Sequence, residues 1–580
     1  MYRGVKPPNQ GMRGLVDRML ASQLERILAI PGRRFYRQFE TACQDVKATQ
    51  LSVMREILDY AADTEIGRQH GFAAIRSYRD FQDALPIRDY EDFRPWVDRH
   101  ANGEENVLFP GKPLMYNRSS GTTAQPKLLP VTPHAFERTI QNRSKLWLYN
   151  LMRHHPGIYA GKALALVSPA VEGHTPDGTP YGSLSGLVYS NIPSFMKSVY
   201  PEPEDTILIR DYLTKLYTLL RFSLGCDITC IFTGNPATVV NMATRADAWK
   251  ELIIRDIHDG TLRADLHLDP GIRQQCEARL QPDPERAAQL EALVEEHGRL
   301  RPVHYWPRLA LIHTWKHGNC RLVLPQLEPW FGDVPTVDFG YIASELTATD
   351  VILPHNDGSV LQVSNAFYEF SREEDGDNPD RRFYMAHEVE VGESYFIHIT
   401  TFSGLYRYDM NDVVEVMERF GQAPVLRFLY KGKGITSLQG EKLSEAQLID
   451  AMGRAERDTG TAFGFFVGWA DPEASRYDLY VEFPFPTDHQ DRARFAGAVD
   501  KSLAEVNVEY EAKRSSSRLK PPRVIPLVSD AFDRYRDLRL AEGALSGQLK
   551  WLHLSGTAAD RRRMAQLAAR DLEPAEPPRR

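Results

Sequence analysis

Short apolar runs alternate with helical stretches through the middle of the chain, and this alternation constrains the fold more than any other feature. The runs read GKALALVS from residue 161, DITCIFTG from 227 and RLALIHTW from 308, and a helical pattern, PERAAQLEALVEEHGRL, lies between the last two. Strand-like runs that alternate with helices are typical of α/β layering. At 580 residues the chain also exceeds what one compact core usually supports, so we expect two or more domains.

Two segments near the start carry apolar residues at three- and four-residue spacing. They read LVDRMLASQLERILAI from residue 15 and QLSVMREILDYAADTEIGRQHGF from residue 50. This spacing predicts amphipathic helices. Because acidic residues are interspersed with the arginines, a helical layer of the core is favoured over a helix that lies on a membrane surface.

The character of the sequence changes near residue 430. LYKGKGITSLQGEKLSEAQLIDAMGRA, from 429, places lysines and glycines between an apolar strand and a helix that Ser444 should cap, which is typical of a hinge. Beyond it we expect two strands about a turn within 462–485, a helix within 491–515 and a strand within 521–529, enough for a small domain. The predicted organisation is a large N-terminal domain of several α/β layers over 1–430, a hinge over 431–442, a smaller mobile α+β domain over 443–556, and a tail over 557–580 that is disordered or a frayed helix.

The charge balance and the cysteines argue against a protein that binds nucleic acid, lies on a membrane or is held together by disulfides. Lys and Arg total 70 against 78 Asp and Glu, and a net charge of -8 gives no bulk attraction to nucleic acid or to an anionic membrane. With no signal-peptide pattern at the start and no long apolar segment, we expect a cytoplasmic protein. The five cysteines are odd in number and scattered, which favours reduced thiols. Among oligomeric states, which the sequence leaves open, a monomer is favoured.

Small and hydroxyl-bearing residues are concentrated in SSGTTAQPK, residues 119–127. A glycine flanked by hydroxyls lets N–H and O–H groups converge on phosphate oxygens, and Lys127 adds a positive charge. The segment lacks the G-x-x-x-x-G-K-[ST] pattern of a Walker loop. Taken alone, it is equally well interpreted as a solvated Ser/Thr turn.

Two later segments carry groups that would complement a phosphate loop. FGYIASEL, residues 339–346, contains Tyr341, which could stack on a base, and Glu345, a carboxylate suited to Mg²⁺ that bridges phosphates. GLYRYDMNDVVEV, residues 404–416, contains Asp412, which could accept both ribose hydroxyls. Taken singly, a capped turn and a surface salt bridge of Arg407 are simpler interpretations of these two segments.

In this order and spacing, the three segments resemble those of a known family. The chain resembles the adenylate-forming superfamily, which includes acyl-CoA synthetases and luciferase. Within it, the chain is most similar to the Gretchen Hagen family of acyl acid amido synthetases, the auxin-responsive promoter family. The resemblance runs from about residue 50 to 555 and includes LPIRDYEDFRPWVDRHANGEENVLFPGKPLMYNRSSGTT, WPRLALIHTW and AEVNVEYEAKRSSSRLKPPRVIPLVSDAFDRYRDLRLAEGALSGQLKW.

The resemblance implies a site for ATP and Mg²⁺ built from three motifs and two lysines. The implied phosphate loop consists of Ser119, Ser120, Gly121, Thr122, Thr123 and Lys127, and the implied second motif of Tyr341, Ser344 and Glu345, with Glu345 as the metal ligand. Asp412 would bind the ribose, and Phe428 would lie near the sugar or base. The implied catalytic residues are Lys127, Glu345, Lys442 and Lys550, and the last two would meet the α-phosphate or the carboxylate when the small domain closes.

The sequence departs from the family pattern at two positions of these motifs. Asn411 stands where the family has glycine, and Ala343 replaces the first of two serines before Glu345. Asparagine tolerates a positive φ better than most residues, so the turn can survive. Neither change removes a charged ligand.

The implied reaction is the ATP-dependent formation of an amide from a small carboxylic acid and an amine or amino acid. The acid would be converted to acyl-AMP with release of pyrophosphate, and the acyl group would then pass to the amine. Charge stabilisation and orientation would supply the catalysis, which agrees with the absence of G-x-S-x-G and H-E-x-x-H patterns. The acyl pocket is expected from 181–240, where Tyr217, Arg221 and Asn235 are candidates and core packing is an equally good interpretation.

Two alternatives stay open. An acyl-CoA or carrier-thioester ligase shares the adenylation step, but YKGKGITSLQGEK, from residue 430, lacks the G-R-x-K-x-x-I-K-x-x-G pattern expected of thioester-forming ligases. A catalytically inactive nucleotide-binding protein is disfavoured because Lys127, Glu345 and Asp412 are all retained.

Overall fold

The described residues divide into two compact units, of which the first ends at Tyr430 and the second begins at Lys431. The computed structural model describes residues 30–119, 127–317, 320, 323–353, 355–375, 378, 380–431, 435–532, 534–535, 538, 553–555 and 558–569. Within these residues, no helix is both long and apolar enough to span a membrane.

Three sheets organise the described part of the first unit. A seven-stranded sheet has the order Tyr384–Met385, Phe367–Arg372, Ser394–Thr400, Tyr408–Phe420, Ala423–Lys431, Ser359–Leu361 and Thr349–Ile352. A mixed sheet has the order Lys127–Val131, Met115–Ser119, Pro180–Gly182 and Gly173–His174. A parallel sheet has the order Lys162–Ala165, Ile228–Phe232, Leu311–His313 and Thr336–Val337. The apolar runs from 161, 227 and 308 are three strands of this parallel sheet, so the predicted mixture of helices and sheets is confirmed.

Helices pack around these sheets. The longer ones are 30–44, Val46–Tyr60, Tyr90–Ala101, Asn142–His154, Tyr212–Leu224, Pro236–Ala248, Lys250–Asp259, Pro270–Arg279 and Pro284–His297. Shorter ones are Glu65–Gln69, Tyr78–Ala84, Pro133–Ala135, Leu184–Ser190, Ser194–Lys197, Pro302–Tyr305 and Glu328–Phe331, with a π-helical turn at Phe136–Gln141. The helix predicted from residue 50 is present as Val46–Tyr60. The helix predicted over 15–30 lies, apart from Ile30, outside the described residues.

Buried side chains join the N-terminal helices to the seven-stranded sheet. Val53 and Ile57 belong to the same apolar cluster as Tyr368. Gln50, which is fully buried, accepts a hydrogen bond from the Tyr368 amide at 2.8 Å and donates one to the Ala366 carbonyl at 2.9 Å. Because a buried amide is stable only with such partners, Gln50 fixes the helix against one strand.

The second unit is a four-stranded sheet with helices on both faces. Its order is Arg523–Pro526, Arg476–Val481, Phe466–Asp471 and Leu554–Ser555, and its helices are Glu445–Thr459, His489–Val506, Val508–Ser515 and Ala558–Leu567. Ser444 caps the first of these helices in a capping box with Gln447, as predicted. The last helix differs from the expected disordered or frayed tail, because Met564 and Leu567 are buried in one cluster with Trp469.

Most of the segment predicted as a hinge, 431–442, is bonded into the second unit. The strand Ile435–Thr436 pairs with the strand Leu443–Ser444. Glu441, which lies between these two strands in the sequence, is fully buried. The Glu441 carboxylate accepts hydrogen bonds from the amides of Leu438 and Gln439 at 2.7 Å each and from the Tyr477 hydroxyl. Lys431 is the last residue of the strand Ala423–Lys431, and 432–434 lie outside the described residues.

Candidate active site

The first motif connects two paired strands. Met115–Ser119 and Lys127–Val131 run antiparallel, and Ser119 pairs directly with Lys127. The two residues that flank 120–126 in the sequence are therefore neighbours in the sheet, and Lys127 is fixed as the first residue of its strand. The predicted loop residues Ser120, Gly121, Thr122 and Thr123 lie outside the described residues.

The second motif follows the last strand of the parallel sheet through a glycine. Gly340 has a φ of 80°, and a Cβ at this position would lie 2.7 Å from Thr349 Oγ1. The same hydroxyl accepts a hydrogen bond from the Tyr341 amide at 2.7 Å. A residue with a side chain at 340 would be strained and would displace this contact, so the glycine sets the position of Tyr341.

Ser344 and Glu345 lie in a tight turn closed by a backbone bridge between Ile342 and Thr347. The side chain of Asn117, which is 6% exposed, donates a hydrogen bond to the Ser344 carbonyl at 2.9 Å. The strand that leads into the first motif therefore holds the turn of the second.

The third motif lies at an irregularity of the seven-stranded sheet. The pairing between Tyr408–Phe420 and Ser394–Thr400 shifts register after Asp409. Within the shift, Asn411 has a φ of 51° and donates its amide to Asp409 Oδ1 at 2.9 Å. Asparagine is among the few residues that adopt this left-handed conformation readily, and bulges of this kind redirect side chains near functional sites. Asp412 follows directly and is 2% exposed.

Tyr341 joins the second motif to the third. Its hydroxyl donates to Asp412 Oδ2 at 2.6 Å, and its ring stacks on Phe428 with a centroid separation of 5.9 Å and an interplanar angle of 11°. Burial, together with the neighbouring Asp412 charge, holds the pKa of Tyr341 well above its usual value, so its hydroxyl is a proton donor at neutral pH.

Lys127 and Glu345 join the first motif to the second. Lys127 Nζ lies 3.7 Å from Glu345 Oε1 and donates to the Tyr408 hydroxyl at 2.9 Å, and that hydroxyl donates to Glu345 Oε1 at 3.2 Å. The ammonium also lies 5.2 Å from the ring centroid of Tyr90. Lys127 of the first motif thus lies in one region of the first unit with described residues of the second and third.

The chemistry of this region fits a nucleotide with a magnesium ion. Lys127 offers a cation for phosphate, Asp412 offers oxygens for hydroxyl groups, and the ring faces of Tyr341 and Phe428 suit a planar base. Within the described residues, no cluster of three or more metal-ligating side chains occurs. Mg²⁺ commonly takes only one or two protein carboxylates, with substrate phosphates and water completing its shell, and Glu345 satisfies that requirement.

An aromatic cluster lies at the carboxyl ends of the parallel strands. His313 accepts a hydrogen bond from Trp147 Nε1 at 3.3 Å, and its ring lies 4.0 Å from Phe339 and 5.9 Å from Phe232. Phe339 is two residues from Tyr341 in the chain. Ligands of open α/β sheets bind beyond the carboxyl ends of the strands, so this cluster is suited to the apolar part of a substrate.

The three residues predicted for the acyl pocket serve the helical layer of the first unit. Tyr217 donates to Asp256 Oδ2 at 2.7 Å, and Arg221 donates to the Asp256 carbonyl at 2.8 Å. Asn235 accepts from the Ala237 amide at 2.9 Å and caps a helix. These contacts favour core packing for Tyr217 and Arg221, and a substrate role for any of the three stays a prediction.

The remaining predicted residues belong to other parts of the chain. Lys442 lies in the second unit with a φ of 47°, and Lys550 lies outside the described residues. Arg407 forms a buried pair with Glu369, at 2.8 and 2.9 Å, in place of the surface salt bridge that was its simple interpretation.

Sequence reasoning missed three residues of this region: Asn117, Tyr90 and Tyr408. Tyr408 lies inside the third motif and Asn117 directly before the first, so a wider reading of each motif would have included them. Tyr90 lies on a helix far from any motif in the chain, and no sequence signal indicates it.

The sequence matches three domains of one family. Residues 35–336 match the GH3 family N-terminal domain, residues 359–431 its central domain and residues 446–558 its C-terminal domain. These matches cover most of the chain and both of its compact units.

Named relatives are similar over nearly the whole chain. The indole-3-acetic acid-amido synthetase GH3.3 of Arabidopsis thaliana is 25% identical over 570 residues, covering 92% of this chain and 94% of the relative. A probable indole-3-acetic acid-amido synthetase, GH3.4 of Oryza sativa subsp. japonica, is 28% identical over 558 residues, covering 88% of this chain and 86% of the relative. The solved GH3.15 acyl acid amido synthetase has the same fold, with a TM-score of 0.61 at 22% identity over 91% of this chain and 95% of that one. The resemblance read from the three motifs is therefore confirmed, and the chain belongs to the GH3 (Gretchen Hagen) family.

Proposed function

We propose that this protein is an ATP-dependent acyl acid amido synthetase that adenylates a small carboxylic acid and transfers the acyl group to an amine or amino acid. The observation that carries the proposal is the meeting of Lys127, Glu345 and Asp412, from three distant segments, around Tyr341 and Tyr408. The names of the relatives, which are amido synthetases, support the same reaction.

Adenylation requires a carboxylate to approach a polyanion. A carboxylate oxygen attacks the α-phosphorus of ATP, and the bond to the leaving pyrophosphate breaks. Lys127 would bind phosphate oxygens, Asp412 the ribose hydroxyls, and the rings of Tyr341 and Phe428 would orient the base, so catalysis rests on charge stabilisation and orientation. Glu345 would hold Mg²⁺, which supplies neutralising charge to the phosphates when bound.

Amide formation requires the amine to reach the acyl-AMP while water is kept away. The amine nitrogen attacks the acyl carbon and AMP leaves. Reorientation of a small domain is a common way to change access to such a site, and the start of the predicted hinge, 431–442, is proposed to allow it here. Lys442 and Lys550 are proposed to reach the adenylate by this reorientation.

The acyl group is proposed to lie against the aromatic cluster of Trp147, Phe232, His313 and Phe339. Support comes from the position of this cluster at the carboxyl ends of the parallel strands, two residues from Tyr341. The reaction requires ATP, for which the cytoplasm is the natural compartment.

The decisive experiment is exchange of labelled pyrophosphate into ATP over a panel of carboxylic acids. Mass spectrometry would then identify the products formed with mixed amino acids and with coenzyme A. Acid-dependent exchange and an amide product are expected. A thioester product would instead favour an acyl-CoA or carrier-thioester ligase, and nucleotide binding without exchange for any acid would favour an inactive nucleotide-binding protein.

A further inference from the structure

The lysine and the carboxylate of the candidate site form a long ion pair. Lys127 Nζ and Glu345 Oε1 are 3.7 Å apart, whereas a charged N–H···O contact is usually about 2.7 to 2.9 Å. The Tyr408 hydroxyl lies within hydrogen-bond distance of both, at 2.9 and 3.2 Å. It accepts from the ammonium and donates to the carboxylate, so it connects the two charges.

Tyr408 is held rigidly in this position. It is 1% exposed, and its backbone pairs with Ile399 and bridges Arg88. Its ring lies 6.1 Å from that of Phe93.

We propose that Tyr408 is a positioning residue that keeps the Lys127–Glu345 ion pair from shortening to a direct hydrogen bond. The proposal rests on the proposed function, in which Lys127 serves phosphate and Glu345 serves Mg²⁺. Their side chains are only 13% and 7% exposed, so water screens their attraction poorly. A direct hydrogen bond between them would occupy the N–H donor that the phosphate needs and the oxygen that the metal needs, and the intervening hydroxyl prevents it.

Tyr408→Phe removes the hydroxyl and leaves the ring. The expected result is closure of the Lys127 to Glu345 distance to hydrogen-bond contact in a crystal structure of the variant. The dissociation constant for a non-hydrolysable ATP analogue with Mg²⁺, measured by calorimetry, should rise about tenfold, as expected for the loss of one hydrogen bond to a charged group. In pyrophosphate exchange, KM for ATP should rise more than kcat falls.

Tyr406→Phe is the matched control. Tyr406 is also 1% exposed, and its hydroxyl donates to the Leu108 carbonyl at 2.5 Å, outside the contacts of the candidate site. This variant should bind the nucleotide like the wild type. Equal affinities of Tyr408→Phe and the wild type, or equal losses in Tyr408→Phe and Tyr406→Phe, would overturn the proposal.

A double-mutant cycle gives a readout that a purely structural role would not change. Lys127→Met should weaken nucleotide binding in the wild type but have much less effect when combined with Tyr408→Phe, because the lysine is then already hydrogen-bonded to Glu345. Additive losses would contradict the proposal.

Two further observations keep the outcomes distinct. If Tyr408→Phe does not fold, a structure of the wild type with the analogue and Mg²⁺ decides: a Tyr408 hydroxyl still bonded to Lys127 or Glu345 supports the proposal, and one more than about 4 Å from both overturns it. A wild type that binds no nucleotide defeats the proposed function and this inference together. A wild type that binds it, with Tyr408→Phe unchanged, defeats only the inference.

Discussion

The hydroxyl of Tyr341 donates to the carboxylate of Asp412 at 2.6 Å, so a residue of the second motif fixes the main carboxylate of the third. The Tyr341 ring stacks separately on Phe428. The hydroxyl and the ring can therefore be tested independently.

Tyr341→Phe should keep the stacking and lose the bond to Asp412. We expect the free energy of unfolding to fall by about 1 to 3 kcal/mol, because a hydrogen bond to a charged group is lost in a buried position. KM for ATP should rise because Asp412 is less firmly oriented. Urea unfolding and pyrophosphate exchange measure the two effects, and a variant unchanged in both would show that the contact has no role.

Asp412→Ala should abolish pyrophosphate exchange while the protein stays folded, because the ribose would lose its acceptor. Circular dichroism checks the fold. Glu418→Ala is the control. Glu418 lies on the same strand as Asp412, and its carboxylate accepts a hydrogen bond from His355 at 2.8 Å. This variant should exchange pyrophosphate at the wild-type rate. Exchange at the wild-type rate by Asp412→Ala would remove Asp412 from the site.

Asn117→Ala should loosen the turn that carries Glu345. The Asn117 side chain joins the Ser344 carbonyl to the Leu184 amide, at 2.9 and 3.1 Å. We expect the Mg²⁺ concentration for half-maximal exchange to rise several-fold. Asn102→Ala removes an exposed amide that bonds only locally, to the Asp98 carbonyl at 2.8 Å, and should leave the Mg²⁺ dependence unchanged. Identical Mg²⁺ curves for the two variants would contradict the positioning role.

Glu369→Ala should be strongly destabilising, because it leaves the buried Arg407 without its partner. Removing one member of a buried ion pair typically costs about 3 to 5 kcal/mol. Arg79→Met is the control, because it breaks an ion pair on the surface. The side chains of Arg79 and Asp83 are 80% and 61% exposed, so losing their pair should change the free energy of unfolding by less than about 1 kcal/mol. Urea titration of both variants measures the contrast, and similar small losses would argue against a structural role of the buried pair.

Glu202 should make stability depend on pH near neutrality. Burial raises its pKa to about 7, against a usual 4.5. The folded state therefore holds this proton more tightly than the unfolded state, and the corresponding stability is lost as pH rises from about 4.5 through 7. Glu202→Gln cannot titrate there, so its stability relative to the wild type should increase over this range by up to about 3 kcal/mol and then level off. Urea unfolding of both proteins at several pH values measures this difference, and a constant difference would contradict the shifted pKa.

The three motifs could be predicted from the sequence because the residues of each motif lie in one short contiguous segment. Tyr408 could not be predicted from the sequence, because its role depends on its distances to Lys127 and Glu345. These two residues are far apart in the chain and meet only in the folded protein. From the sequence, Tyr217 and Arg221 were candidates for substrate binding. In the structure both donate hydrogen bonds to Asp256, which is more than thirty residues away in the chain. Long-range partners of this kind leave no local pattern.

The packing of the helix over 558–567 against the second unit's sheet was not predicted, for a related reason. Its apolar residues are sparse. Met564 and Leu567 are buried because they pack against the sheet face around Trp469. Local helix signals do not report such tertiary support.

The direct pairing of Ser119 with Lys127 fixes the backbone at position 127 independently of the lysine charge. The strand ladder holds this position through backbone hydrogen bonds, which a change of side chain leaves in place. Substitution of the lysine therefore changes the chemistry of the position without displacing the strand that carries it.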